Sequence, residues 1–285
     1  MPIARTIATL AAAILFTSSL SAEPDRGDNW EDVRETGQGE IQILYVPAGG
    51  WAYRDSDEDL TGATVELMRE FAAWVEREHG IELAVDFVRD TDWSRFYDRV
   101  RQAEGGVFGI GNVTITEARR EELAFSPPYV TNVAVLITHA DHPELETPET
   151  LAEQADTLSA LAFRDTLHEQ RLQALRQDHA PDIPLARAES NDEIIERVVS
   201  GDYFAYIDAY NYHRAREAGE PLRHHSAFDD PGEAFGVIMP HDSNWAALME
   251  AFFEHDGGWT RSETWQDILT EHLGETVAEQ LLEAH

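Results

Sequence analysis

Residues 105–129, GGVFGIGNVTITEARREELAFSPPY, decide how the chain is read. Positions 107–111 are short, apolar and glycine-bounded, as a buried strand is. Asn112, Val113, Thr114, Ile115 and Thr116 follow as a polar turn. Thr116 is placed to cap a short helix, and Glu117 suits the positive end of that helix. Arg119 and Arg120 ride on it. The helix cannot run through Ser126-Pro127-Pro128-Tyr129, because proline lacks an N–H and disfavours helical geometry in the residue before it. The order is strand, polar turn, short basic helix, rigid extended exit. It leaves hydroxyls and a guanidinium just past the carboxyl end of a strand, where open α/β sheets bind ligands.

Upstream, residues 41–46 read as a first strand, ended by Pro47, Gly49 and Gly50, with Trp51 and Tyr53 in the following loop. Residues 62–79 carry the helical stripe Val65, Met68, Ala72 and Val75, and Gly80 suits the position just past its end. Leu83, Val85 and Phe87 alternate as a second strand, and residues 93–104 return as a helix. This βαβαβ order predicts a mainly parallel sheet with helices on both faces. Downstream, residues 133–138, 158–163, 184–188 and 204–208 read as strands, and residues 233–239 as a further apolar crossing that Pro240 stops. Helices are expected over 166–178 and 191–200, and the end is helical over 244–254, 262–272 and 275–282. Two βα series predict two lobes rather than one sheet.

The segment GNVTITEARREELAFSPPY resembles the signature of the family 3 periplasmic solute-binding proteins, known as amino-acid receptors of ABC transporters. Thr114, Thr116, Arg119, Phe125, Ser126, Pro128 and Tyr129 match its spacing. The resemblance implies a two-lobed, type II-like α/β binding-protein fold with the ligand cleft between the lobes. On that pattern, residues 40–131 plus 236–285 form lobe 1 and residues 132–235 form lobe 2. The chain crosses between them near 131–134 and 235–239, and closure is a hinge motion.

From the residues alone, Arg119 serves either a ligand carboxylate or a surface pair with Glu121 or Glu122. The resemblance implies the carboxylate, which a guanidinium grips with two parallel hydrogen bonds. Thr114 and the backbone around Asn112 are expected to add hydrogen bonds. Trp51 and Tyr53 stand where the family places an aromatic wall, with core packing the alternative. After the strand at 158–163 the family shows a Gly-Thr-Thr type turn; here Arg164, Asp165 and Thr166 follow. Thr166 matches and can cap the next helix, with Glu169 completing a capping box. Asp165 opposes a carboxylate unless Arg164 compensates or a cationic group is bound. Asp208 ends the strand FAYID near the family's ammonium-binding aspartate, but one position early, so it serves either that role or a plain turn. The aromatic run Tyr203, Phe204, Tyr206, Tyr210 and Tyr212 lines either the cleft or the core.

Composition supplies an address. Residues 1–22 show a basic start, an apolar stretch and a small-residue end, Leu20-Ser21-Ala22, which is a signal-peptide pattern. Residues 23–39 are polar and glycine-containing and read as a flexible linker. The chain has no cysteine, which excludes disulfides, thiolate metal sites and thiol catalysis and leaves no lipid anchor residue. The expectation is a periplasmic, soluble monomer. Asp plus Glu number 55 against 21 Lys plus Arg, all arginine, for a net charge of −34. Such a surface repels nucleic acid and anionic lipid, and its even spread fits a halophile.

No HExxH metal site, phosphate loop or GxSxG elbow is present, so no metal and no cofactor is expected. The expected function is non-enzymatic capture of a small carboxylate-bearing solute for the membrane subunits of an ABC importer. The alternatives are a sensor docking on a membrane signalling receptor, and a binding-protein-like dehydratase of a cyclic acid.

Overall fold

The computed structural model describes residues 24–154 and 156–283. The signal-peptide expectation over residues 1–22 lies outside them. The chain opens with α1 (Trp30–Thr36), β1 (Gln38–Tyr45) and a short ribbon, β2 (Tyr53–Arg54) with β3 (Leu60–Thr61). Then come α2 (Ala63–His79), β4 (Glu82–Arg89), α3 (Trp93–Gln102), β5 (Val107–Ile110), α4 (Glu117–Arg120) and β6 (Leu123–Phe125). A long strand, β7 (Val130–His139), leads to α5 (Pro148–Ala152), β8 (Ser159–Phe163), α6 (Leu167–His179), β9 (Leu185–Ala188) and α7 (Asn191–Ser200). The chain continues through β10 (Tyr203–Asp208), α8 (Ala209–Glu217), β11 (Leu222–His224) and β12 (Asp230–Phe235). It finishes with β13 (Ile238–Pro240), α9 (Ala246–Glu254), α10 (Glu263–Leu273) and α11 (Glu275–Glu283).

The first sheet has the order β4-β1-β5-β13-β6, and the second runs β11-β7-β10-β8-β9 with β12 also paired to β7. The βα units pair in parallel, as expected: β4, β1 and β5 in one sheet, β10, β8 and β9 in the other. The returning strands β7, β11, β12 and β13 pair antiparallel, so both sheets are mixed. Each sheet is buried on two faces, which explains the continuous apolar runs. In the second sheet Leu136, Phe204 and Tyr206 enter one apolar cluster, while Val135, Ala205 and Ile207 enter the other. This is the two-residue alternation of a strand. Helix α2 ends at Gly80, whose φ of +67° is the left-handed cap that glycine adopts without strain.

The crossings are where the exit segment after Phe125 acts. β7 and β12 run side by side, with Val130 opposite Phe235 and Ala134 opposite Asp230. Ser126 ties this pair to the first sheet: its N–H donates to Val237 O at 2.9 Å, and its Oγ accepts from Val237 N–H at 3.0 Å. The apolar crossing expected over 233–239 is therefore two strands, β12 in the second sheet and β13 in the first.

Two sequence expectations need correction. Part of the expected flexible linker is docked: Trp30 packs on Trp245 at 5.2 Å between ring centroids, and Trp245 Nε1 donates to Asp28 O at 2.9 Å. The second is an omission: helix α8, absent from the expected elements, follows β10, and its Tyr210 takes the core alternative. Its polar residues hid the apolar stripe.

Candidate functional site

The carboxyl edges of both sheets face a common cleft. On the first-sheet side, the turn after β5 is held from below by Tyr129, whose hydroxyl donates to the Gly111 carbonyl. Thr116 Oγ1 accepts the Arg119 N–H at 3.1 Å, the capping bond expected from the sequence. Arg119 Nη1 donates to the Thr114 carbonyl at 2.8 Å. Its guanidinium carbon lies 5.6 Å from the ring centroid of Tyr97 and 5.9 Å from that of Trp93. Burial pulls the Arg119 pKa below its ordinary value. Among the described residues, no carboxylate lies within 4.0 Å of this guanidinium. The alternative pairing with Glu121 or Glu122 is thus absent; Glu122 accepts instead from the Tyr97 hydroxyl at 2.9 Å.

The rings under Arg119 are themselves positioned by charge. Asp92 caps α3 by accepting the Arg95 N–H at 2.7 Å. Asp90, just before it, receives Arg95 Nε at 3.0 Å and Arg99 Nη1 at 3.1 Å. Burial pushes the Asp90 carboxyl up, but bonds from Arg95, Arg99 and the N–H groups of Thr91 and Asp92 outweigh it and hold the pKa well below the usual range. The network fixes the start of α3, and so Trp93 and Tyr97.

The second-sheet side is built around Asp208, the last residue of β10 and 2% exposed. Its Oδ1 accepts from Asn132 Nδ2 at 2.8 Å and lies 3.3 Å from His168 Nε2. Its Oδ2 accepts from Asn112 Nδ2 at 2.9 Å, a bond that spans the cleft. Arg171 Nη1 lies 3.3 Å from His168 Nδ1. Arginine only donates, so Nδ1 accepts and the imidazole proton sits on Nε2, facing Asp208. Asn132 Nδ2 also donates to Glu233 Oε2 at 3.0 Å, and Arg171 Nη2 pairs with Glu233 Oε1 at 2.5 Å. Burial, reinforced by Asp208, raises the Glu233 pKa.

Between the two sides lies a cavity of about 50 Å³. Asn112, Thr114, Arg119, Thr166 and Asp208 of the predicted set line it together. Thr166 caps α6, its Oγ1 accepting the Glu169 N–H at 3.4 Å and donating to Phe163 O at 2.8 Å. Glu169 completes the turn differently from a capping box, accepting the N–H of Asp165 rather than that of Thr166, at 2.8 Å. Asp208 faces the cavity despite its early position, because α8 begins immediately after it and the strand's last side chain turns to the sheet edge.

Three predicted residues stand elsewhere. Trp51 is fully buried and packs on Tyr129, Tyr210 and Phe235 at 5.8, 5.4 and 5.9 Å. It is core rather than an aromatic wall. Tyr53 hydrogen-bonds His272 Nδ1 at 3.1 Å, outside the cavity. Asp165 is exposed with φ +61°, so it occupies the left-handed position of the turn where the family has glycine, and its carboxylate does not line the cavity. Sequence reasoning missed Trp93, Phe163, Leu167, His168 and Asn191, which complete the lining. Phe163 and Trp93 follow the same rule that singled out the others, since each sits at or just past the end of a strand.

The chain matches the pattern of the bacterial extracellular solute-binding proteins, family 3, over residues 45–275. No curated protein sequence matches it. Solved structures share its fold at low identity. The arginine-, lysine-, histidine-binding protein ArtJ from Geobacillus stearothermophilus is 16% identical with a TM-score of 0.63, covering 82% of this chain and 95% of that one. The AvGluR1 ligand-binding domain in complex with glutamate is 14% identical with a TM-score of 0.65, covering 82% and 94%. The ancestral amino-acid-binding protein AncCDT-1, a precursor of cyclohexadienyl dehydratase, is 18% identical with a TM-score of 0.60, covering 85% and 98%. The signature around Arg119, the paired sheets joined by two crossing strands, and the match over residues 45–275 agree: the chain belongs to the bacterial extracellular solute-binding proteins, family 3.

Proposed function

We propose that this protein captures an α-amino acid or a close zwitterionic relative outside the cytoplasm and delivers it to the membrane subunits of an ABC importer. The observation that carries the reading is Arg119, a shielded guanidinium with no carboxylate among the described residues, sharing one small cavity with the buried carboxylate of Asp208. In this reading Arg119 binds the ligand carboxylate, Thr114 and Asn112 add hydrogen bonds, and Asp208 takes the ammonium group. Amino-acid binding in the similar structures supports it.

A cavity of about 50 Å³ is small beside the range of about 300–1,000 Å³ usual for ligand pockets, so the ligand enters when the cleft opens. In our reading residues 40–131 plus 236–285 move against residues 132–235 about the paired strands β7 and β12, and the Asn112–Asp208 bond is the contact that parts. The acidic surface keeps the protein soluble in concentrated salt, where repulsion between like charges is screened.

The test is a thermal-shift screen of the protein in molar salt against the standard amino acids and the amines that lack their carboxylate. A ligand at about 100 times its dissociation constant adds about 2.7 kcal/mol. The expected result is a raised melting temperature with at least one amino acid and none with the matching amine. No shift with any amino acid, or equal shifts with the amine, overturns the reading.

A further inference from the structure

Beyond Arg119 and Asp208 the cleft widens into a compartment of about 370 Å³, large enough for a small ligand's tail. Trp93, Asn112, Phe163 and Asn191 line both spaces, so one ligand can extend from the first into the second. The far wall is α8, which presents Asn211 and Arg214 to the compartment. They are three positions apart and therefore neighbours on one helix face. The Arg214 guanidinium lies against Gly49, where an added Cβ would come within 2.6 Å of Nη1. The missing side chain at Gly49 is what makes room for it.

Two donors on this wall lack acceptors. Asn211 is 8% exposed, and its Nδ2 is buried with no hydrogen-bond partner. Arg214 is half-buried and, among the described residues, has neither a carboxylate within 4.0 Å nor a hydrogen-bond acceptor. The other half-buried arginines are all engaged. Arg99, Arg171 and Arg197 pair with carboxylates, and Arg119, Arg176 and Arg223 with carbonyls. The chain has 55 carboxylates for its 21 arginines, so a shielded guanidinium without one is out of keeping with the rest of the molecule. The compartment's own carboxylates do not answer it. Glu189 pairs with Arg164 at 2.8 Å, Asp192 is exposed, and Glu220 makes no pair with Arg214. A guanidinium on this wall, with the Asn211 amide beside it on the same helix face, suits an anionic oxygen group, and a carboxylate above all.

We propose that Arg214 and Asn211 form a distal anion subsite, so that the ligand is an α-amino acid carrying a second carboxylate on its side chain. This rests on the proposed amino-acid reading, with Arg119 and Asp208 holding the α-groups. Arg214 then sets specificity, distinguishing a side-chain carboxylate from the isosteric amide or a plain alkyl chain.

The test is titration calorimetry with L-glutamate, L-2-aminoadipate, L-glutamine and L-norleucine on the wild type and on Arg119→Met, Arg214→Met and Arg214→Lys. The wild type is expected to bind a dicarboxylate about tenfold or more tighter than L-glutamine. Arg214→Met should erase that preference while leaving L-glutamine affinity within about threefold, and Arg214→Lys should keep part of it. The melting temperature of the ligand-free variants checks that they fold. An unchanged dicarboxylate affinity in a folded Arg214→Met protein overturns the distal subsite, as does wild-type protein that binds L-norleucine or L-glutamine as tightly as the dicarboxylates. If Arg119→Met loses every ligand while Arg214→Met changes none, the amino-acid reading stands and the subsite alone falls. Wild-type protein that binds none of the four overturns both.

Discussion

The two walls of the cleft treat charge in opposite ways. On the first-sheet wall, Arg119 is fixed by one carbonyl bond and two aromatic rings, and its charge is left uncompensated by the chain. On the second-sheet wall, Asp208 is fixed by Asn112 and Asn132 and faced by His168, so its charge is already solvated by the protein. One wall leaves a charge unpaired, which in the proposed reading is kept for the ligand. The other spends donors to hold a carboxylate at a set position. A charge held in a preorganised setting adds geometry as well as attraction, which is the usual division of labour in a binding site.

The largest expected effect tests this contrast directly. Arg119→Met should weaken binding of an α-amino acid by about 30-fold or more, the cost of deleting one partner of a buried charge pair. It should leave the ligand-free melting temperature nearly unchanged, because no partner in the protein loses its counter-charge. Asp208→Asn should weaken binding and also lower the ligand-free melting temperature, since it sets an amide N–H against the donors that now face a carboxylate. Calorimetry and thermal melts on both variants read the difference. Equal effects of the two substitutions on ligand-free stability would break the comparison.

The next effect separates the regions by pH. His225, buried beneath the second sheet, receives the Leu145 N–H on Nδ1 at 3.0 Å and lies 2.9 Å from Thr138 Oγ1 through Nε2. Burial first, then the neighbouring charges of Arg223, His224 and His142, pull its pKa down from 6.5 to about 4. Its folded pKa is below its unfolded one, so the unfolded chain binds the proton more readily. The stability is fully present above about pH 6.5 and is lost as pH falls to about 4. Asp90 in the first region works in the same direction but lower. Its depressed pKa gives stability that is present above the ordinary carboxylate range and lost only below it. Melting temperatures from pH 7 to pH 3 should therefore fall first between about pH 6.5 and 4, and again below that window. A flat profile down to pH 4.5 would remove His225 from the account.

The smallest effect concerns the strands between the regions. Asn132→Ala removes the one amide that donates to both Asp208 and Glu233. Two buried carboxylates are then left facing each other with fewer donors, and stability should fall by about 1–3 kcal/mol. Denaturant titration measures it. Because the loss lies at the crossing strands, raising the proton concentration to neutralise Glu233, whose pKa is already raised, should recover part of it.

Much of the fold was legible because its signals are local. A strand buried on both faces shows itself as a short apolar run, and α2 by its stripe and its terminal glycine. The helix cap at Thr116 and the exit at Ser126-Pro127-Pro128 were equally plain. The docked segment at Trp30 was not, because the contact that holds it is with Trp245, more than two hundred positions away. Trp51 was misplaced for the same reason. An aromatic residue in a glycine-rich loop suits a cleft wall or the core, and only Tyr129, Tyr210 and Phe235, from three distant segments closing around Trp51, decide for the core.

By itself the sequence determined the βα order, the acidic surface, the absence of thiol chemistry, and the placement of Thr114 and Arg119 at a strand's carboxyl end. These follow from periodicity, composition and the stereochemistry of proline and threonine, each confined to a few neighbouring residues. Only the tertiary structure decided that Asp208 faces Arg119 across a shared cavity, that Asp165 turns away, and that Asn211 and Arg214 open on the wider compartment. Those outcomes depend on where two sheets meet and on which end of each strand lies at the cleft. Such geometry is set by long-range packing, which no window of adjacent residues records.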